Sequence, residues 1–147
     1  MRNLDSIIIH CSDSPFGDAL TIDQWHRKRG FDCIGYHFVI LNGFPKNLQT
    51  SRIPFLDGSI ESGRDINLPG AHVRGHNETS IGVCLIGQNG DFTSSQMAAL
   101  KKILWCLKTN YSIPVSRILG HYELDSNKTC PDLDMNIIRN NFMENRK

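Results

Sequence analysis

Two short runs constrain the fold more than anything else in this chain. Ile7-Ile8-Ile9 is an uninterrupted β-branched run, and Ile81-Gly82-Val83-Cys84-Leu85-Ile86 is a second apolar run of strand length. A strand with one face in water alternates apolar and polar residues. A continuous apolar run belongs to a strand covered on both faces. Helical patterns lie between and after these runs. Thr21-Ile22-Asp23-Gln24 has the form of a capping box, opening a helix through Trp25 and His26 that Gly30 stops. Thr93-Ser94-Ser95-Gln96 is another, followed by Met97, Leu100, Ile103, Leu104 and Leu107 as one apolar stripe at helical spacing. A last helix is predicted over Asp134 to Asn145, with Ile137, Ile138 and Phe142 inward. Ile34 to Leu41 reads as a further strand, and Val115 to Leu119 as a strand or extended approach to His121. Asp57-Gly58 is a tight-turn signal leading into Ser59-Ile60-Glu61. Strands interleaved with helices, without a linker or repeat, predict a single mixed α/β domain over residues 1–147.

Composition narrows the function. Sixteen Lys and Arg against 15 Asp and Glu give a formal net charge of +1, which is no footprint for general nucleic-acid binding. No run is long enough to cross a bilayer. The N-terminus, with one basic residue before a short apolar stretch, reads as a first strand and not as a signal peptide, so synthesis in the cytoplasm is expected. Five cysteines without an export signal argue for free thiols. Cys84 and Cys106 lie in apolar runs and are expected in the core.

Cys130 is different. His121 and Cys130 flank a segment that also holds Lys128, and imidazole and thiolate are ligands zinc prefers. The spacing matches no zinc finger, and a lysine beside a thiol suits a hydrolytic site that must stabilise an oxyanion. The third ligand must come from elsewhere. The default for any one of the six histidines is a hydrogen-bonded structural ring. His26 sits among Arg27, Lys28 and Arg29 and is expected on a helix surface. His76 follows Gly75 in a loop and is expected in solvent. His37 alternates with Tyr36 on one strand, so the two face opposite ways. His10 ends a buried strand, where α/β folds place their ligands, and is the best candidate to complete the set. Glu123 is either an outer acceptor for a ligand imidazole or a surface residue.

A set of segments in fixed order carries a further signal. These are Ile9-His10-Cys11-Ser12, Trp25-His26, Gly35-Tyr36-His37-Phe38, Glu61 to Asp65, Gly70-Ala71-His72, Asn77 to Leu85, Phe92 to Met97, His121-Tyr122-Glu123 and Lys128-Thr129-Cys130-Pro131. Together they resemble the zinc-dependent N-acetylmuramoyl-L-alanine amidases of type 2, in particular the phage lysozyme-amidases of the T-odd coliphages. The resemblance implies a central mixed sheet flanked by helices, with Zn²⁺ in a cleft on one face. It implies that His10, His121 and Cys130 bind the zinc, that Tyr36 and Lys128 are catalytic, and that His72, Asn77 and Ser80 line or shape the substrate cleft. The implied substrate is peptidoglycan or a muropeptide, cut between N-acetylmuramic acid and L-alanine.

A phage or prophage endolysin is the implied setting: a monomer made in the host cytoplasm, without a membrane anchor, that reaches the cell wall in the periplasm after release. Related recycling amidases carry aspartate at the position of Cys130, which favours the phage reading. The other readings are a binding module that holds muropeptide without cutting it and a regulator that contacts RNA polymerase. Retention of Tyr36, Lys128 and Cys130 weighs against the first, and the short segment before the first strand against the second. Two other departures from the family pattern are an extra residue between His121 and Lys128 and a long loop from Asn42 to Pro54. Lys46 and Arg52 charge that loop, and Phe44 and Phe55 stand at its ends. It is either a solvated excursion or a border of the cleft that contacts the stem peptide.

Overall fold

The computed structural model describes residues 2–144. Five strands, β1 (Ser6–Cys11), β2 (Phe38–Asn42), β3 (Asp57–Ser62), β4 (Ser80–Leu85) and β5 (Ile118–Gly120), form one sheet in the order β3-β2-β4-β1-β5. The β2–β3 pair is antiparallel, while β1 pairs in parallel with β4 and β5, and β2 with β4. The two continuous apolar runs are thus the adjacent central strands, with Ile8 opposite Gly82 and His10 opposite Cys84.

Alternation along these strands divides the core in two. Ile7, Ile9, Ile40, Ile81, Val83 and Leu85 pack with Leu100, Ile103, Leu104 and Leu107 of α2 (Ser94–Tyr111) and with Met135, Ile138 and Phe142 of α4 (Met135–Glu144). Val39, Leu41, Cys84 and Ile86 face the other way and pack with Ile22 of α1 (Ala19–Lys28). His10, two residues beyond Ile8, projects on this second face, and the cleft forms there. A fourth helix, the single turn α3 (His121–Leu124), follows β5 directly.

Several elements differ from expectation. The cap of α1 is Asp18, whose Oδ1 accepts from the Thr21 N–H at 2.8 Å, so Thr21 lies inside the first turn. The capping box of Thr93 and Gln96 is present as read. The regular part of β2 begins only at Phe38, because the residues before it bond to loops: the Gly35 carbonyl accepts from Ala71 N–H and that of Tyr36 from Arg64 N–H. Asp57-Gly58 is no hairpin turn; it opens β3, where Gly58 has φ +84° and a Cβ would stand 2.7 Å from the Ser95 carbonyl oxygen. Val115–Arg117 is a 3-10 turn, and only Ile118–Gly120 is strand. Ile137 is 58% exposed and Cys106 is exposed, so neither belongs to the core; both sit on the outer sides of their helices. The predicted end of the last helix, Asn145, lies outside the described residues. No described helix is long and apolar enough to cross a membrane.

Candidate active site

The cleft has a volume of about 670 Å³ and opens at the ends of β1 and β5 on the α1 side of the sheet. Three donors converge there. His10 is the fifth residue of β1, His121 begins α3 directly after β5, and Cys130 lies in the segment that follows. Their ligand atoms all lie within 4.8 Å of one another. β1 and β5 are paired, so their ends bring two residues 111 positions apart to ring centroids 4.7 Å apart. Cys130 is brought back to them by its main chain, whose carbonyl accepts from the Tyr122 N–H at 3.0 Å. Its Sγ also accepts from the Cys11 N–H at 2.8 Å. That bond ties the second segment to the end of β1.

Burial sets the electrostatics. It pushes His10 well below its ordinary value, and it lowers His121 with help from the neighbouring Lys128 ammonium. Both rings are therefore neutral near pH 7 and keep a lone pair for a cation. The Cys130 thiol is raised by its bond with the Cys11 thiol and by burial, while the Cys11 N–H opposes this by favouring the thiolate. A divalent cation is the charge that would reverse this balance and deprotonate the sulfur. Two imidazoles and one thiol, with an open side, match a catalytic zinc set of three protein ligands.

The other expected site residues fall in three groups. Tyr36 and Lys128 line the cleft; the Tyr36 ring packs 4.9 Å from that of His10, and burial raises its phenol well above 10. His72 and Asn77 also line it, with the Asn77 Oδ1 accepting from the main-chain N–H of His72 and Val73. Ser80 does not: it is fully buried and shapes the cleft only through His72. His37 does not line the cleft: its ring stands 5.9 Å from that of His72, and its Nδ1 accepts from the Gly82 N–H at 3.0 Å. Glu123 serves no imidazole. It caps α3 by accepting from the Gly120 N–H and forms a two-point pair with Arg139.

Three placements bear on the sequence reading. His26 is buried and lines the cleft, its ring packed 5.3 Å from Tyr36 and its Nδ1 accepting from the Gly35 N–H at 2.8 Å. The basic residues after it concealed this, although its spacing of four from buried Ile22 places it on the inward stripe. The loop from residue 42 to 54 contributes nothing to the cleft lining. It folds against residues 15–17, where the Phe44 carbonyl accepts from the Gly17 N–H, and Arg52 lies over its own loop's Phe44 ring. His76 is half-buried, not solvated, and its carbonyl accepts from Ser80 Oγ.

An open nitrogen–nitrogen–sulfur donor set beside a lysine and a tyrosine, at the strand ends of a mixed sheet, is the layout of a metal-dependent hydrolase. Comparison with known proteins identifies which. Residues 1–132 match the N-acetylmuramoyl-L-alanine amidase family, and the chain belongs to it. Its activity is that of a peptidoglycan amidase. An endolysin of Escherichia phage T7 is 35% identical over 144 residues, covering 91% of this chain and 84% of that protein. An endolysin of Klebsiella phage KP32 is 34% identical over the same shares. Among solved structures, the N-acetylmuramoyl-L-alanine amidase LysC of Clostridium intestinale superposes with a TM-score of 0.79 at 25% identity, covering 99% of this chain and 88% of that one. Drosophila PGRP-LB matches with a TM-score of 0.70 at 26% identity over 89% of this chain and 76% of its own.

Proposed function

We propose that this amidase is a phage or prophage endolysin that hydrolyses the bond between the lactyl group of N-acetylmuramic acid and L-alanine, with Zn²⁺ held by His10, His121 and Cys130. The observation that carries the metal reading is the convergence of those three donor atoms within 4.8 Å at the mouth of an open cleft. An amide is a poor electrophile, and hydroxide is scarce at neutral pH. Zinc in such a set supplies a Lewis acid for the carbonyl and lowers the pKa of water toward ~7.

The chain's own groups supply the rest. Lys128 lines the cleft beside His121, placed to stabilise the oxyanion that attack on the carbonyl creates. Tyr36 keeps its proton, because burial raises the phenol, so it acts as a hydrogen-bond donor at the reacting oxygen and not as a base. His72 and Asn77 form one wall of the substrate cleft. Arg29 and Arg74 also line it, and stem peptides present carboxylates, so these cations suit the peptide arm of the substrate; Asp13, Asp125 and Asp132 share the lining. In this reading the protein is made in the host cytoplasm and meets its substrate in the periplasm after release.

Digestion of purified bacterial cell walls, followed by mass spectrometry, tests the reading. The expected products are stem peptides with a free L-alanine amine and glycan strands with free lactyl carboxylates. A zinc chelator should stop their release, and added zinc should restore it. Cleavage of the glycan strand or of the peptide cross-bridges, or digestion that continues in the chelator, would overturn it.

A further inference from the structure

Behind His10 lies a hydrogen-bonded file that takes no direct part in the chemistry above. His10 Nε2 stands 2.8 Å from His72 Nδ1. His72 Nε2 stands 3.2 Å from Ser80 Oγ. Ser80 Oγ in turn donates to the main-chain carbonyl of His76 at 2.6 Å. The three side chains are buried, with 1%, 9% and 0% of their surface exposed for His10, His72 and Ser80, so bulk water does not compete for these bonds.

The direction of every bond in the file follows from its last member. A carbonyl oxygen only accepts, and a serine hydroxyl has one proton. That proton goes to His76, so Ser80 Oγ meets His72 as an acceptor and the proton between them sits on His72 Nε2. No carboxylate stands among the partners of the His72 ring to hold a second proton, so with its proton on Nε2 its other nitrogen, Nδ1, is an acceptor. It takes the proton of His10 Nε2. The lone pair of His10 is then left on Nδ1, the nitrogen outside the file. The opposite polarity would set the Ser80 oxygen lone pairs against the His76 carbonyl at 2.6 Å.

The His72 ring is also held in a fitted seat. Asn77 Oδ1 accepts from the His72 and Val73 N–H groups at 2.8 and 2.9 Å. Two glycines make room for the ring: a Cβ on Gly82 would stand 2.8 Å from its Cγ and Cδ2, and one on Gly70 would stand 2.4 Å from its Cδ2. We propose that His72 is a positioning residue: with Ser80 and the His76 carbonyl it fixes the tautomer and orientation of His10, so that His10 offers Nδ1 to the metal. This rests on the zinc reading above. Outer partners of metal-bound histidines are usually carboxylates, carbonyls or water, and here a second imidazole fills that place.

Two measurements test it. In the full-length, chelator-treated protein, long-range proton–nitrogen NMR correlations of the imidazole rings should show both His10 and His72 protonated at Nε2 and bare at Nδ1. A proton on Nδ1 of either ring overturns the proposal without reference to metal. Zinc affinity, from competition with a chromogenic chelator, should fall about 10–100-fold in His72→Leu. It should return to within a few-fold of the original in His72→Asn, whose amide oxygen can accept from His10 Nε2. Thermal unfolding of each metal-free variant reports whether it folds. Unchanged zinc affinity in folded His72→Leu overturns the proposal, and so does loss of zinc affinity in folded His72→Asn equal to that in His72→Leu. If His72→Leu does not fold, the NMR result and the His72→Asn affinity still decide. If the unaltered protein binds no zinc, the metal reading fails, while the tautomers are still decided by NMR.

Discussion

Lowering the pH from 7 toward 4 loads protons onto rings that the fold holds neutral. His26 and His37 are the clearest cases outside the metal set. They are 6% and 1% exposed, and burial lowers each from 6.5 to about 4. In both, Nδ1 accepts a main-chain N–H, from Gly35 at 2.8 Å and from Gly82 at 3.0 Å. A proton on that nitrogen turns an acceptor into a donor facing another donor. The folded pKa lies below the unfolded one, so the folded chain binds fewer protons in this window. The stability these rings contribute is therefore complete above about pH 6.5 and is lost as the pH falls toward 4. At roughly 1.4 kcal/mol per pH unit, the gap from 6.5 to about 4 corresponds to about 3 kcal/mol per ring. Two rings give about 6 kcal/mol, a large part of the roughly 5–15 kcal/mol that holds a domain together. Urea unfolding of chelator-treated protein at several pH values between 7 and 4.5 should show this loss. His37→Asn keeps an uncharged acceptor and should reduce the slope, and His26→Asn should reduce it by a similar amount, while His10, His72 and His121, which burial also lowers, carry the remainder. An unfolding free energy that stays flat across this range, or a slope unchanged in both variants, would refute the reasoning.

Further outcomes are expected at the cleft and beside it. Lys128→Ala should lower kcat by about 10²–10³ with zinc content retained, and Tyr36→Phe should lower it too; a rise in KM alone for Lys128→Ala would make the lysine a substrate-binding group only. Gly35→Ala would place a Cβ 2.1 Å from the Ala71 carbonyl oxygen, against backbone that cannot rotate away, and should cost about 1–3 kcal/mol or more in urea unfolding. Replacing residues 43–54 with Asn-Gly should leave KM for cell walls unchanged, since none of that loop lines the cleft; a several-fold rise in KM with zinc retained would show that it reaches the substrate.

The sequence by itself determined the parts of this protein that depend on local pattern. Continuous apolar runs at 7–9 and 81–86 read as strands covered on both faces, and they are adjacent strands inside the sheet. The capping box at Thr93 and the stripe after it specified α2, because both signals lie within a few turns of one helix. His121, Lys128 and Cys130 stood out because a short segment joined two ligand types and a cation, and His10 because strand ends hold ligands in such folds. Only the tertiary structure decided which surfaces meet. The parallel pairing of β1 with β5 brings His10 to His121, and the Cys11 N–H closes the gap to Cys130. The seat of His72 behind His10 depends on Gly82 of the neighbouring strand and on Asn77 at the start of a 3-10 turn, so no local pattern marks it. His26 shows the same limit from the other side. Its basic neighbours suggested water, but packing against Phe31 and Tyr36 turned its face of α1 inward. Such contacts join residues far apart in the chain, and their energies appear only after the sheet has brought them together.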